Sequence, residues 1–179
     1  MNRISVPTTE LTPAATLPLL AAVQKQLGVT PNMMKLIGHS PAALEGYLSL
    51  NGAMSKSSID AKTGERIALA IAQFNSCDYC LAAHTYLAAN LAKLDEAEIL
   101  SNRRGHSNDA KADAAVRFAV TVAQERGHAS DAAVNAVKEA GFTEAQVVEI
   151  VLHVALNTLT NYVNSVARTP VDFPAAVAL

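Results

Sequence analysis

Apolar residues along this chain recur at helical spacing, and the prolines, glycines and short polar residues between them fall where helices start and stop. In "IDAKTGERIALAIAQFNS" the positions Ile67, Leu69, Ala70, Ile71 and Phe74 form the apolar side of a helix that opens at Asp60. "TPAATLPLLAAVQKQLG" offers Thr12 as N-cap, Pro13 at the first helical position and Gly28 as a stop, with Pro18 able to shorten it. "TPNMMKLIGHSPAALEGYLSLNGAMS" predicts a short helix ending near Gly38, then one capped by Ser40 with Pro41 at its first position. A further helix starts at Cys77 or Asp78 and runs towards Asn90. Asp95 and Glu98 suggest a capping box for "LDEAEIL", and the next two helices stop at Gly127 and Gly141. Thr143 and Gln146 box the longest helix, which Thr169-Pro170 ends. No run alternates polar and apolar between hairpin turns. The pattern predicts one all-α domain over residues 1–179, with a core at about 30–168 after an N-terminal helix. Residues 1–10 and 170–179 read as extended arms, which either fray or reach onto a neighbouring subunit.

Composition adds how such helices pack. Half of the residues are hydrophobic, mostly alanine, while aromatics are 4% and tryptophan is absent, so small side chains must fill closely spaced helices. At 179 residues the chain buries a core without staples, and Met33 and Met34 read as filler within it. A face of so apolar a chain is expected to be buried between subunits of a homo-oligomer. The net charge of −2, with no block of like charges, argues against nucleic acid or an anionic membrane as partner. There is no apolar run of membrane-spanning length and no signal-peptide pattern, so the expected location is cytoplasmic.

Both cysteines stand in "CDYC", Cys77 and Cys80, with His84 four residues on. On a helix, Cys77, Cys80 and His84 share one face. The helix N-terminus favours thiolate over thiol, and an imidazole one turn later can take the proton. A structural zinc site needs four ligands, and only Cys77, Cys80, His84 and Glu65 are on offer, an unusual mixture for one. Two inert buried thiols are the other plain reading. Glu65 lies in the first turns of the preceding helix. Alone it is a solvated charge near a helix start; if "NS" turns the two helices sharply onto each other, its carboxylate reaches and orients His84.

The full string, Glu65, eleven residues, Cys77, two residues, Cys80, three residues, His84, resembles the E-x11-C-x2-C-x3-H pattern of AhpD-like alkylhydroperoxidases in the carboxymuconolactone decarboxylase superfamily. "NMMKLIGHSPAALEGYLSLNGAM", "RIALAIAQFNSCDYCLAAH" and "NYVNSVARTPVDFP" extend the resemblance to peroxidase-related members of that family. It implies an all-helical trimer or hexamer that reduces hydroperoxides by a thiol cycle and is restored by a dithiol reductant protein. It implies Cys80 as the attacking thiol, Cys77 as the resolving thiol and Glu65 with His84 as proton relay, with no metal or organic cofactor. Tyr79 stands where well-studied members carry a second histidine, and a phenol is a poor base near neutral pH. A decarboxylase-like activity fits less well, since those members lack the cysteine pair as a working unit. A non-catalytic redox sensor that uses the same disulfide is the reading from another class.

Of the remaining histidines, His39, His106 and His128 read as surface residues. His153 sits in the long apolar helix, where Glu149, His153, Asn157 and Asn161 recur every four residues, with Thr160 and Asn164 at the edge. A polar stripe on an apolar rod must find partners. It is either an internal or intersubunit hydrogen-bond seam, or it brings His153 or Asn157 up behind the thiols.

Overall fold

The computed structural model describes residues 2–179; Met1, the first residue of the expected N-terminal arm, lies outside them. Among the described residues there are nine α-helices, two 3₁₀ turns and no strand. In chain order the helices are α1 (Leu17–Leu27), α2 (Asn32–Ile37), α3 (Pro41–Met54), α4 (Ala61–Phe74), α5 (Asp78–Asn90), α6 (Glu96–Arg103), α7 (Ala110–Gln124), α8 (Asp131–Glu139) and α9 (Glu144–Ala167).

Short polar side chains start six of the helices, and at Ser40, Asp60, Asp95 and Thr143 these are the starts that the sequence predicts. Ser40, Asp60, Asp95, Asp109, Ser130 and Thr143 each accept a backbone N–H from the first turn, and Thr143 with Gln146 closes a full capping box. Two expectations are corrected. Residues Thr9–Leu11 and Ala14–Thr16 are 3₁₀ turns, and α1 begins only at Leu17, so Thr12 is not its cap. Pro18 lacks the N–H to continue a helix from Ala14 and is tolerated only in a first turn, which is where α1 places it. The box at Asp95 and Glu98 is half made: Asp95 accepts from the Glu98 backbone, but the Glu98 carboxylate turns inward to Arg66, Asn102, Ser107 and Asn108.

Helix α4 is the axis, packing against α5, α6, α7 and α9. Its Ile67, Leu69 and Ile71 are fully buried, worth roughly 1.5–3 kcal/mol each. Ala68, Ala70 and Ala72 between them, with Ala115 and Ala119 of α7, are at most 3% exposed and let the backbones approach closely. One apolar cluster joins α4, α7, α8 and α9; a second joins α1, α2 and α3 to the middle of α9. Met34 is buried in the second cluster and Met33 packs at its edge, both as filler.

Gly64 carries a cost of about 1 kcal/mol in a helix relative to alanine, and the packing explains it. A Cβ there would lie 3.1 Å from the His153 ring on α9. The termini are laid on the body: Arg3 and Ile4 donate to the Ala167 carbonyl, and residues 169–179 form a strap without regular structure across α2, α5 and α6.

Candidate active site

The connection from α4 to α5 is three residues, Asn75, Ser76 and Cys77, and Ser76 takes a φ of +52° to make the turn. This left-handed residue folds α5 back against α4 and leaves Cys77 as the N-cap of α5. The Cys77 sulfur accepts the Cys80 backbone N–H at 3.3 Å, a role usually given to a hydroxyl or carboxylate. Cys80 follows in the first turn, and the two sulfurs lie 2.6 Å apart, so a disulfide forms with little movement. Both residues are at most 3% exposed.

One turn further, His84 meets Glu65 across the α4–α5 seam, with Nδ1 and Oε2 at 2.9 Å. Both side chains are about a fifth exposed, with relative areas of 22% and 23%. Burial alone would lower the His84 pKa, but the Glu65 carboxylate and the nearby Cys80 thiolate raise it above the usual imidazole value. The contact at Nδ1 leaves Nε2 as the free ring nitrogen.

The two thiols are driven apart. Cys80 is lowered to about 6, first by the hydrogen bond from Cys77, then by Asn164, the His84 charge and Asn161, against the cost of burial. Cys77 is raised, because its own proton holds the Cys80 thiolate and because it is buried next to that charge. At neutral pH the pair is one thiolate and one thiol. The deeply buried Tyr47 of α3 also feels the Cys80 charge; burial foremost keeps its phenol neutral, with a pKa pushed up to about 12.

The sequence motif thus brings Glu65, Cys77, Cys80 and His84 together, but the stripe on α9 contributes different residues than expected. Asn164 donates Nδ2 to the Cys80 sulfur at 3.3 Å, and Asn161, held by Asn75 at 2.9 Å, lies beside it. His153 faces Gly64 instead, its Nε2 buried without a partner, and Asn157 bonds back to the His153 carbonyl. Glu149 ends the stripe on Ser58. Neither His153 nor Asn157 is in hydrogen-bond contact with a sulfur. Tyr79 is buried among the cysteines, yet its hydroxyl points away, accepting the Met33 N–H at 3.3 Å. Burial raises its pKa well above the phenol range, so it is no base here. Among the described residues, no three His, Cys, Asp or Glu side chains are grouped to hold a metal. His39, His106 and His128 are exposed, as read.

Residues 41–119, which carry this motif, match the carboxymuconolactone decarboxylase family. The whole fold matches an AhpD-core, peroxidase-related protein from Ralstonia eutropha JMP134 with a TM-score of 0.84 at 21% identity, covering 96% of this chain and 92% of that one. The match to the family is confined to residues 41–119, and the fold of the whole chain is AhpD-like. A peroxidase-related protein from Silicibacter sp. TM1040 aligns with a TM-score of 0.80 at 20% identity, over 94% and 89% of the two chains. The debrominase Bmp8, solved with 2,3,4-tribromopyrrole, shares the fold at TM-score 0.75 and 16% identity, covering 94% of each chain. No curated protein matches. Among the described residues, no helix is long and apolar enough to cross a membrane.

Proposed function

We propose that the protein is a cytoplasmic thiol peroxidase that reduces organic hydroperoxides or hydrogen peroxide through Cys80 and Cys77. The Cys80 thiolate attacks the terminal peroxide oxygen; the O–O bond breaks, and Cys80 becomes a sulfenic acid. The alkoxide leaves with the proton that His84, oriented by Glu65, supplies. The Cys77 thiol then condenses with the sulfenic acid, releasing water and forming the disulfide. A dithiol protein partner gives up two hydrogens to restore both thiols. No metal or organic cofactor takes part.

What carries this reading is the asymmetry of the pair: a thiolate at Cys80 whose proton-bearing neighbour, Cys77, sits 2.6 Å away, ready to resolve it. Working as a trimer or hexamer fits the outer face of α9, where Val148, Val151, Ala155, Leu159, Tyr162 and Val166 stand exposed at three- and four-residue steps.

The test is steady-state turnover of an organic hydroperoxide with a dithiol donor. Continuous turnover that is abolished in Cys80→Ser supports the peroxidase. One stoichiometric oxidation without turnover supports a redox sensor instead. Because a debrominase shares the fold, a bromopyrrole belongs in the same assay; turnover of it alone would move the reading to dehalogenation.

A further inference from the structure

The sulfurs are almost sealed, and the C-terminal strap packs on the cluster that holds them. Phe173 and Ala176 pack on the cluster of Cys77, Tyr79, Cys80 and Leu81. The Phe173 ring meets Tyr79 edge-on at 5.8 Å and Tyr86 at 6.1 Å. Few bonds hold the strap down. Asp172 accepts the Asn32 backbone N–H at 2.7 Å, serving as the helix cap that Pro31 cannot provide for α2. Asn32 donates its side-chain amide to the Pro170 carbonyl at 3.2 Å, and Arg103 donates to the Val177 carbonyl at 2.7 Å. Between these ties the strap has no regular structure, and Val171, Asp172, Pro174 and Ala175 are exposed. Its far end roofs a cleft of about 220 Å³ lined by Leu94, Ile99, Leu100, Val177 and Thr85, whose hydroxyl is buried without a partner.

A thiol at most 3% exposed cannot meet a hydroperoxide until something above it moves. The α4–α5 seam is the core of the fold, whereas beyond Thr169 the strap rests on three hydrogen bonds to Asn32 and Arg103, the approach of Asp172 to the Tyr79 hydroxyl and the two aromatic contacts of Phe173. Segments with few buried contacts open most readily.

We propose that residues 169–179 are the gate and the selectivity element of the thiol site. Lifted, the strap admits the hydroperoxide. Seated, it lays Phe173, together with Tyr79 and Met33, as an apolar wall over Cys80. That wall rewards a substrate with an apolar substituent and gives nothing to hydrogen peroxide, which has no such surface to bury. The selectivity half of this proposal rests on the peroxidase reading; the gate does not.

Two variants of the full-length protein test it. Asp172→Ala cuts the anchor and keeps the wall; Phe173→Ala removes the wall. The gate is read by the rate at which iodoacetamide alkylates Cys80 in the reduced protein, with unchanged helical circular dichroism as the folding control. Both variants should react about tenfold faster than the parent, the effect of losing one hydrogen bond to a charged group or one buried ring contact. The selectivity is read as the ratio of kcat/KM for cumene hydroperoxide to that for hydrogen peroxide, which should fall about tenfold in Phe173→Ala. Alkylation within twofold of the parent in both variants overturns the gate. An unchanged ratio in Phe173→Ala overturns the selectivity role. A parent without peroxide turnover would refute the peroxidase reading, while the alkylation rates still decide the gate.

Discussion

Asn164 was not singled out by the motif, yet it touches the Cys80 sulfur, and replacing it by alanine tests how the thiolate is held. Its Nδ2 donates to the Cys80 sulfur at 3.3 Å in a site where both residues are at most 3% exposed. A hydrogen bond to a charged group contributes about 1.5–3 kcal/mol, and a long one to sulfur belongs at the low end. At about 1.4 kcal/mol per pKa unit, Asn164→Ala should raise the Cys80 pKa, which lies at about 6, by about one unit. At pH 5 the thiolate fraction then falls from about 10% to about 1%. A more basic thiolate is also a better nucleophile, here by about threefold. The alkylation profiles should therefore cross. The variant is about threefold slower than the parent at pH 5, equal near pH 6.5, and about threefold faster above pH 8. The assay is iodoacetamide alkylation of the reduced protein from pH 5 to 9, with peptide mapping to assign the label to Cys80. A variant profile superimposable on the parent's would refute the role of Asn164, and a uniform drop at every pH would mean lost folding rather than a shifted pKa.

Glu65→Gln keeps a hydrogen-bonding group opposite His84 but removes the charge that raises its pKa, so turnover should fall about 10²-fold with the fold intact; unchanged kcat/KM would remove Glu65 from the mechanism. Because His84 holds its proton more tightly when folded, that pair stabilises the parent below pH about 6.5 and stops doing so as pH rises through the folded value. Glu98 has the opposite sign. Burial raises its pKa, but Ser107, Asn102, Asn108 and Arg66 together hold it down to about 2, a difference from the unfolded carboxyl of about 3 kcal/mol that is present above pH about 4.3 and lost as pH falls through 2. Denaturant melts of Glu98→Gln at pH 7 should show a loss of about 3 kcal/mol that shrinks towards pH 2; a loss independent of pH would deny the carboxylate that role.

Helix starts were legible because a cap is a local bargain: Ser40, Asp60 and Thr143 need only their own first turn. Glu98 was misread for the complementary reason, since Arg66, thirty-two residues earlier, offers its carboxylate more than a backbone N–H does. The candidate string was legible because Cys77, Cys80 and His84 share one helix face and Glu65 sits on the helix that the short turn must pack against it. The polar stripe of α9 was visible as a stripe, but a four-residue step overshoots the helical turn by about 40°. Its members therefore spiral past different neighbours: Glu149 to Ser58, His153 to Gly64, Asn161 to Asn75 and Asn164 to Cys80. Which of them reaches a sulfur depends on how α9 crosses α5, and no local pattern encodes that angle. The strap was legible only as an arm, because Phe173 and Asp172 have no periodicity to show where they land.

The central claim is that Cys80 attacks and Cys77 resolves, and a sulfenic-acid trap reads it directly. Cys77→Ser and Cys80→Ser are each treated with one equivalent of hydroperoxide in the presence of the trap, and the labelled peptide is identified by mass. Serine at position 77 can still donate to the Cys80 thiolate but cannot close a disulfide, so Cys77→Ser should accumulate trapped sulfenate at Cys80. Cys80→Ser, left with a thiol whose pKa is raised, should react far more slowly. Label accumulating at Cys77 in Cys80→Ser, with none at Cys80 in the other variant, would contradict the account.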